Sequence, residues 1–332
     1  MRDKLESSSA VSQRDVIRAI RLWRFFWQRH VLNSDSAPRG TRLRASRALL
    51  LSFGMTYYVG LNSEQRKLFV KTICGYFEEI KAAETSGSVD LPEVLEEEMS
   101  LYMEHIDPGP GIAFTKALKE NVFAIVVGIE CNIPVMIVGM PGTGKTLAVN
   151  VATNVLRGDR SVPFFRQFQD VANSVFRYQC SKESTSKQIH ELFENALRFK
   201  QQADSSTRRC PVVFIDEAAL PPESMESLKA MHYWIDQGEL FCCVLANKPL
   251  DAAKRNRCLQ VFRDEADGED LKVLAANCLG VSLEDPSSAA VVSGFCGAFR
   301  EISRGQEKGP VVQSMPLASL AACYCQVDAR SP

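Results

Sequence analysis

Residues 135–147 read Val-Met-Ile-Val-Gly-Met-Pro-Gly-Thr-Gly-Lys-Thr-Leu, and this stretch decides the fold. Gly139, Gly144, Lys145 and Thr146 satisfy the spacing G-x-x-x-x-G-K-[ST] at every defined position. Glycine opens backbone conformations closed to other residues, so successive N–H groups can turn toward one anion. A helix starting at Lys145 adds its positive N-terminal end. Lys145 can reach β- and γ-phosphates, and the Thr146 hydroxyl suits a Mg2+ ligand. Pro141, Gly142, Thr143 and Leu147 complete the loop as nucleotide-binding candidates. Four apolar residues precede the loop as a strand, and Leu-Ala-Val-Asn-Val-Ala-Thr-Asn-Val-Leu follows it as a helix. The expected ligands are therefore ATP and Mg2+.

Two further apolar runs end in polar side chains. Residues 212–217, Val-Val-Phe-Ile-Asp-Glu, form a strand closing on two carboxylates. An open α/β sheet places its ligand at such strand ends. Asp216 suits support of the metal, and Glu217 suits activation of a water. Residues 241–247, Phe-Cys-Cys-Val-Leu-Ala-Asn, end in an amide, and Asn247 can position that water. An Asx turn before Lys248-Pro249 is the bland alternative. Arg255 and Arg257 lie just beyond, where a cation could reach a phosphate on a neighbouring module or could simply face solvent. Arg257 is the preferred candidate.

The alternation around these motifs predicts strands at 134–138, 174–180, 211–215, 240–246 and 259–262, with helices at 113–129, 186–202 and 224–236. Each strand is a short continuous apolar run, as expected when both faces of a parallel sheet are covered. Helices are expected again near 268–280 and 287–303, and the tail from 305 has no period.

The N-terminal third reads as helical. Ser12 is a plausible N-cap for a helix over 12–30, with Asp15 in its first turn. Val16, Ile20, Trp23 and Trp27 share one face, expected to pack, while Arg14, Arg18 and Arg21 line another, expected to be solvated. That basic, aromatic helix also makes a membrane or lipid-droplet surface a candidate partner. Residues 33–47 read as a polar connection, 45–60 and 62–82 as helices, and 84–100 as an acidic linker leading into a short helix. The acidic run is expected to be solvated surface.

Composition bounds the function. The 332 residues are 45% hydrophobic with net charge −1, which suits a soluble globular protein and gives no sign of a specific nucleic-acid partner. Eleven cysteines without C-x2-C spacing, and no leader-like apolar segment at the start, point to free thiols in the cytoplasm.

Beyond the generic motifs, four stretches resemble one family. They are residues 111–123 (Gly-Ile-Ala-Phe-Thr-Lys-Ala-Leu-Lys-Glu-Asn-Val-Phe), 178–186, 216–233 and 250–258. Together with Ser12-Gln-Arg-Asp15 and the following Trp-rich helix, they are similar to the dynein-like AAA+ modules of mysterin, the giant RING-finger ubiquitin ligase. The resemblance implies an α/β fold, a P-loop core with a five-stranded parallel sheet of order 5-1-4-3-2 and helical lid-like segments at both ends. It implies that residues 1–105 are the lid-like end of a preceding module, residues 106–265 the nucleotide-binding core, and residues 266–332 a partial lid and tail. Arg14 would then serve the preceding ATPase, and Arg257 would act on a neighbouring module or subunit. Ubiquitin machinery is implied as a partner only through a larger relative, because no RING can be built from these cysteines. The expected activity is ATP hydrolysis. Alternatives are a nucleotide-dependent switch without turnover and a P-loop kinase acting on a small acceptor.

Overall fold

The computed structural model describes residues 11–32, 39–81, 90–109, 111–202, 209–222, 226–263 and 268–305. The expectations for residues 33–38, 82–89, 223–225 and the tail beyond 305 lie outside the described residues.

Five strands form one parallel sheet: β1 (Val135–Gly139), β2 (Val175–Gln179), β3 (Val212–Asp216), β4 (Phe241–Ala246) and β5 (Leu259–Arg263). Their order is β2-β3-β4-β1-β5, the expected 5-1-4-3-2 arrangement. The central register sets Val138 beside Ala246 and Phe262, so the ends of β1, β4 and β5 open on one edge. Strand positions fell within a residue or two of expectation. Burial on both faces explains the continuous apolar runs of β1 and β4, in which every residue is buried. It does not explain β2, an edge strand in which no residue is buried and Arg177 and Gln179 interrupt the run.

Alternate strand residues feed two apolar clusters. Val135, Ile137, Phe214, Cys243, Leu245 and Val261 face one layer, whereas Met136, Val138, Ile215, Cys242 and Val244 face the other. The second layer is α7 (Ser186–Gln202) and α8 (Lys229–Gln237), where Phe193 and Trp234 stack at 5.5 Å between ring centroids. The first layer holds α5 (Lys116–Cys131) and α6 (Lys145–Val155). Gly128 lets α5 approach β1 closely, since an added Cβ would meet Val135 at 2.5 Å.

The N-terminal helices join this same layer. They are α1 (Gln13–Trp27), α2 (Arg39–Phe53), α3 (Ser63–Lys81) and α4 (Leu91–Met103). Widened five-residue turns follow α1 at Gln28–Leu32 and α2 at Gly54–Tyr58. Phe26 of α1 stacks on Phe123 of α5 at 6.3 Å, and Tyr102 of α4 meets Phe123 edge-on at 4.9 Å. Fully burying each such ring is worth roughly 1.5–3 kcal/mol. Two C-terminal helices, α10 (Gly268–Leu279) and α11 (Pro286–Gly305), pack on each other through Leu271, Ala275, Ala276, Val292 and Cys296.

Three expectations need correction. Helix α1 buries Arg18, Leu22 and Phe26, while Val16 and Ile20 are 47% and 52% exposed. Arg18 turns inward because its guanidinium donates to the Cys258 carbonyl at 2.9 Å and to the Asn256 carbonyl, and it pairs with Asp15 at 3.0 Å. Long arginine stems make such inward placement compatible with an apolar face. The capping box at Ser12 and Asp15 forms as expected. Second, residues 39–47 belong to α2 and are not a connection. Third, the acidic run is not wholly solvated: Glu98 is 1% exposed, bound to His30 at 3.1 Å and to Arg47 at 3.3 Å. Burial would raise the Glu98 pKa, but His30 and Arg47 hold it below its ordinary value. A short helix, α9 (Ala252–Arg255), capped by Asp251, was not anticipated.

Candidate nucleotide site

The phosphate loop leaves β1 at Gly139 and enters α6 at Lys145. Gly142 and Gly144 carry φ of 83° and 70°, the left-handed region that side chains resist. Thr143 braces the turn by donating from its hydroxyl to the Met140 carbonyl at 2.9 Å. Lys145 is only 8% exposed. Its ammonium donates to the carbonyls of Gly139 at 2.7 Å and Met140 at 2.8 Å. Burial lowers its pKa, and nearby Glu217 and Asp216 oppose that shift.

Two carboxylates and an amide meet the loop from neighbouring strand ends. The Thr146 hydroxyl donates to Asp216 Oδ2 at 2.9 Å, joining α6 to the end of β3. Asp216 Oδ1 accepts from the Glu217 N–H at 2.8 Å. Asn247, just past β4, donates to Glu217 Oε2 at 2.7 Å. Glu217 itself has φ of 52°, unusual for a residue with a side chain. Such a conformation costs on the order of 1–3 kcal/mol and persists only where neighbours enforce it. Ala218 supplies that enforcement by donating to the Leu245 carbonyl at 2.9 Å.

The donor set fits Mg2+, a hard cation that takes oxygen ligands and keeps several waters. Thr146 and Asp216 offer adjoining oxygens. Among the described residues no group of three or more His, Cys, Asp or Glu forms a ready-made metal cage. Phosphate and water oxygens would complete the shell.

A cavity of about 650 Å3 opens beside the loop, within the range of small-molecule sites. Gly142, Thr143, Gly144 and Leu147 line its end at the glycine-rich loop. Ala113, Leu118, Phe262 and Leu274 supply apolar lining, and α10 closes one side. Asp270 of α10 fastens that side by accepting from the backbone N–H groups of Lys116 at 2.7 Å and Ala117 at 3.3 Å, at the start of α5.

Arg257 is placed elsewhere. It binds Asp236 at 3.0 Å and the Ala253 carbonyl at 2.7 Å. Arg14 reaches the same Asp236 at 3.3 Å. Thus the structure brings Lys145, Thr146, Asp216, Glu217 and Asn247 together, and groups Arg257 with Arg14 instead. Sequence motifs missed Glu120, Asn121, Arg263 and Asp270, which are all buried near the cavity. None had a local signal: Glu120 and Asn121 follow Lys119, and Arg263 and Asp270 lie at the start and the end of the polar stretch 263–270.

A parallel sheet of this order, a glycine-rich loop feeding a helix, and acids on the adjacent strands together define a P-loop core of the AAA+ class. Comparison with known proteins narrows the class. Residues 111–270 match the family described as the RNF213 AAA domain, and this segment is an AAA module of the RNF213, or mysterin, type. Human E3 ubiquitin-protein ligase RNF213 is 27% identical over 336 residues, covering 93% of this chain and 6% of that protein. E3 ubiquitin-protein ligase rnf213-beta of Danio rerio is 30% identical over 287 residues, covering 82% and 6%. A Dictyostelium discoideum protein described as uncharacterized and transmembrane is 28% identical over 333 residues, covering 91% and 6%. The chain thus spans about 6% of the length of these curated relatives. Among the described residues, no helix is long and apolar enough to cross a membrane.

Proposed function

We propose that this module binds ATP with Mg2+ and hydrolyses it to ADP and phosphate. The observation that carries the reading is the pair of contacts Thr146–Asp216 and Asn247–Glu217, both beside the phosphate loop. The N–H groups of residues 142–146 cradle the phosphates, and Lys145 exchanges its carbonyl partners for β- and γ-oxygens. Thr146 and Asp216 would hold Mg2+, which supplies charge neutralisation on the transferring phosphoryl group. Glu217 accepts the proton of the attacking water, and Asn247 fixes the carboxylate in place. Glu217→Gln should retain Mg·ATP while phosphate release falls at least about 100-fold. Unchanged release in that variant would remove Glu217 from the role.

A second reading is a nucleotide switch without turnover: Arg257 pairs with Asp236 away from this loop, so this chain supplies its own loop with no arginine from that position. An arginine acting on this phosphoryl group would then come from another module. Conversely, the joint placement of Arg14 and Arg257 on Asp236 supports their action on a neighbour's nucleotide. In that arrangement residues 1–105 serve as the end of a preceding module, residues 106–265 as this core and residues 266–332 as the start of its lid. The named relatives are ubiquitin-protein ligases, and a part in ubiquitin transfer is proposed only for a longer protein containing this module. A cytoplasmic setting is proposed with it, since the described cysteines are free thiols, as in a reducing compartment.

A further inference from the structure

One wall of the cavity comes from outside the nucleotide core. Arg66, on α3, sits at its rim and forms a paired bond to Glu120 of α5, Nη1 to Oε1 and Nη2 to Oε2, each at 3.0 Å. Arg66 also donates to the carbonyls of Leu61 at 3.0 Å and Val59 at 3.1 Å. Val59 in turn accepts from the Phe262 N–H of β5 at 3.0 Å. Glu120 Oε2 also accepts from Arg263 Nη1 at the end of β5. Arg263 Nε then donates to Asn121 Oδ1 at 2.7 Å, and Asn121 Nδ2 reaches the Thr143 carbonyl, in the phosphate loop, at 3.4 Å.

We propose that Arg66, Glu120, Arg263 and Asn121 form a positioning relay through which the N-terminal helices set the geometry of the phosphate loop. This inference rests on the nucleotide reading of the site. Each member is polar at a position surrounded by core: Glu120, Asn121 and Arg263 are 3%, 0% and 6% exposed. A buried ion pair is poor evidence for stability, because apolar residues of similar volume often serve as well. What apolar residues could not do is fix a particular carbonyl of the loop. The relay is also braced against the loop sterically, since a Cβ on Gly139 would meet Arg263 Cβ at 2.6 Å. Arg263 Nη2 is buried without a partner, so the array is not optimised for burial alone. A shift of α3 withdraws Arg66 from Glu120, loosens Arg263 and frees Thr143. By linkage, nucleotide binding acts back on α3 with the same free energy. None of these residues touches the reacting atoms, so they are positioning residues.

The test is titration of the 332-residue chain with Mg and a fluorescent ATP analogue, using wild type, Arg66→Met, Asn121→Ala and the double variant. Arg66 lies at the rim with its side chain 13% exposed, so Arg66→Met leaves the Glu120–Arg263 pair in the core. Each single change is expected to weaken binding about fivefold. Turnover of bound nucleotide stays within about twofold, and the double variant binds no more weakly than the weaker single. Arg66→Met binding as tightly as wild type overturns the relay, as does a double variant whose losses multiply. A loss of affinity seen only where thermal melts show the variant partly unfolded overturns it too. If wild type itself retains no analogue, the nucleotide reading fails and the relay with it; wild-type binding with an unaffected Arg66→Met sinks the relay alone.

Discussion

Glu120→Gln offers a stability test whose size can be worked from the structure. The Glu120 carboxylate is 3% exposed and bound by two guanidinium groups. Burial alone would raise its pKa, but Arg263 and Arg66 hold it down to about 2 from an ordinary 4.5. A folded-state pKa below the unfolded one adds stability that is fully present above the unfolded value. That stability is lost as pH falls from about 4.5 toward 2. Each unit corresponds to about 1.4 kcal/mol, so the carboxylate contributes on the order of 3 kcal/mol at neutral pH. Glutamine keeps the shape but removes the charge that pairs with buried Arg263 and half-buried Arg66, a loss of about 3–5 kcal/mol. Denaturant unfolding of both proteins at pH 7, 5, 4 and about 3 gives the two curves. The difference between them should be large at pH 7 and shrink as pH drops below about 4.5, where protonation makes the wild type resemble the variant. Other paired carboxylates, such as Glu98, titrate in both proteins and cancel in the difference. A difference that stays constant between pH 5 and 3, or no destabilisation at pH 7, would refute the reasoning.

Three further outcomes are expected. Asp270→Ala removes two acceptors from the start of α5 and should cost about 1–2 kcal/mol in unfolding. It should also make α10 more accessible to protease, and unchanged cleavage there would argue against Asp270 as the fastening. Arg18→Met leaves the Asn256 and Cys258 carbonyls unpaired, and denaturant melts should show a loss of about 1–3 kcal/mol. Stability within experimental error of wild type would show that water replaces the guanidinium. Chelation of divalent cations with EDTA should abolish phosphate release, and its persistence would remove Mg2+ from the proposal.

Much of the core was legible because its signals are local. A loop that needs two left-handed glycines and an amide-rich helix start leaves few residue choices at 139–146. Strands buried on both faces are continuous apolar runs, and their polar ends marked Asp216, Glu217 and Asn247. Sheet order came only with the family resemblance, since parallel strands distant in sequence carry no pairing signal of their own. Periodicity gives only part of the packed face of α1, because it treats arginine as solvent-seeking: Trp23 and Trp27 pack on the core, but Val16 and Ile20 are exposed and Arg18 is buried. Arg18 instead meets carbonyls of residues 256 and 258, more than 200 positions away in sequence. The Glu120–Arg263 pair was invisible for the same reason: each charge sits at the polar edge of its element and reads as solvated until the fold joins α5 to β5.

The central claim is a triphosphate held by the loop 139–146 with Asp216 and Glu217 at its far end. Its most direct test is equilibrium binding of ATP to the purified chain with and without Mg2+, for wild type and Asp216→Asn. Wild type should bind more tightly when Mg2+ is present, and Asp216→Asn should lose most of that gain while still binding metal-free nucleotide. No retention of nucleotide by wild type, or a Mg2+ effect untouched by Asp216→Asn, would contradict the account.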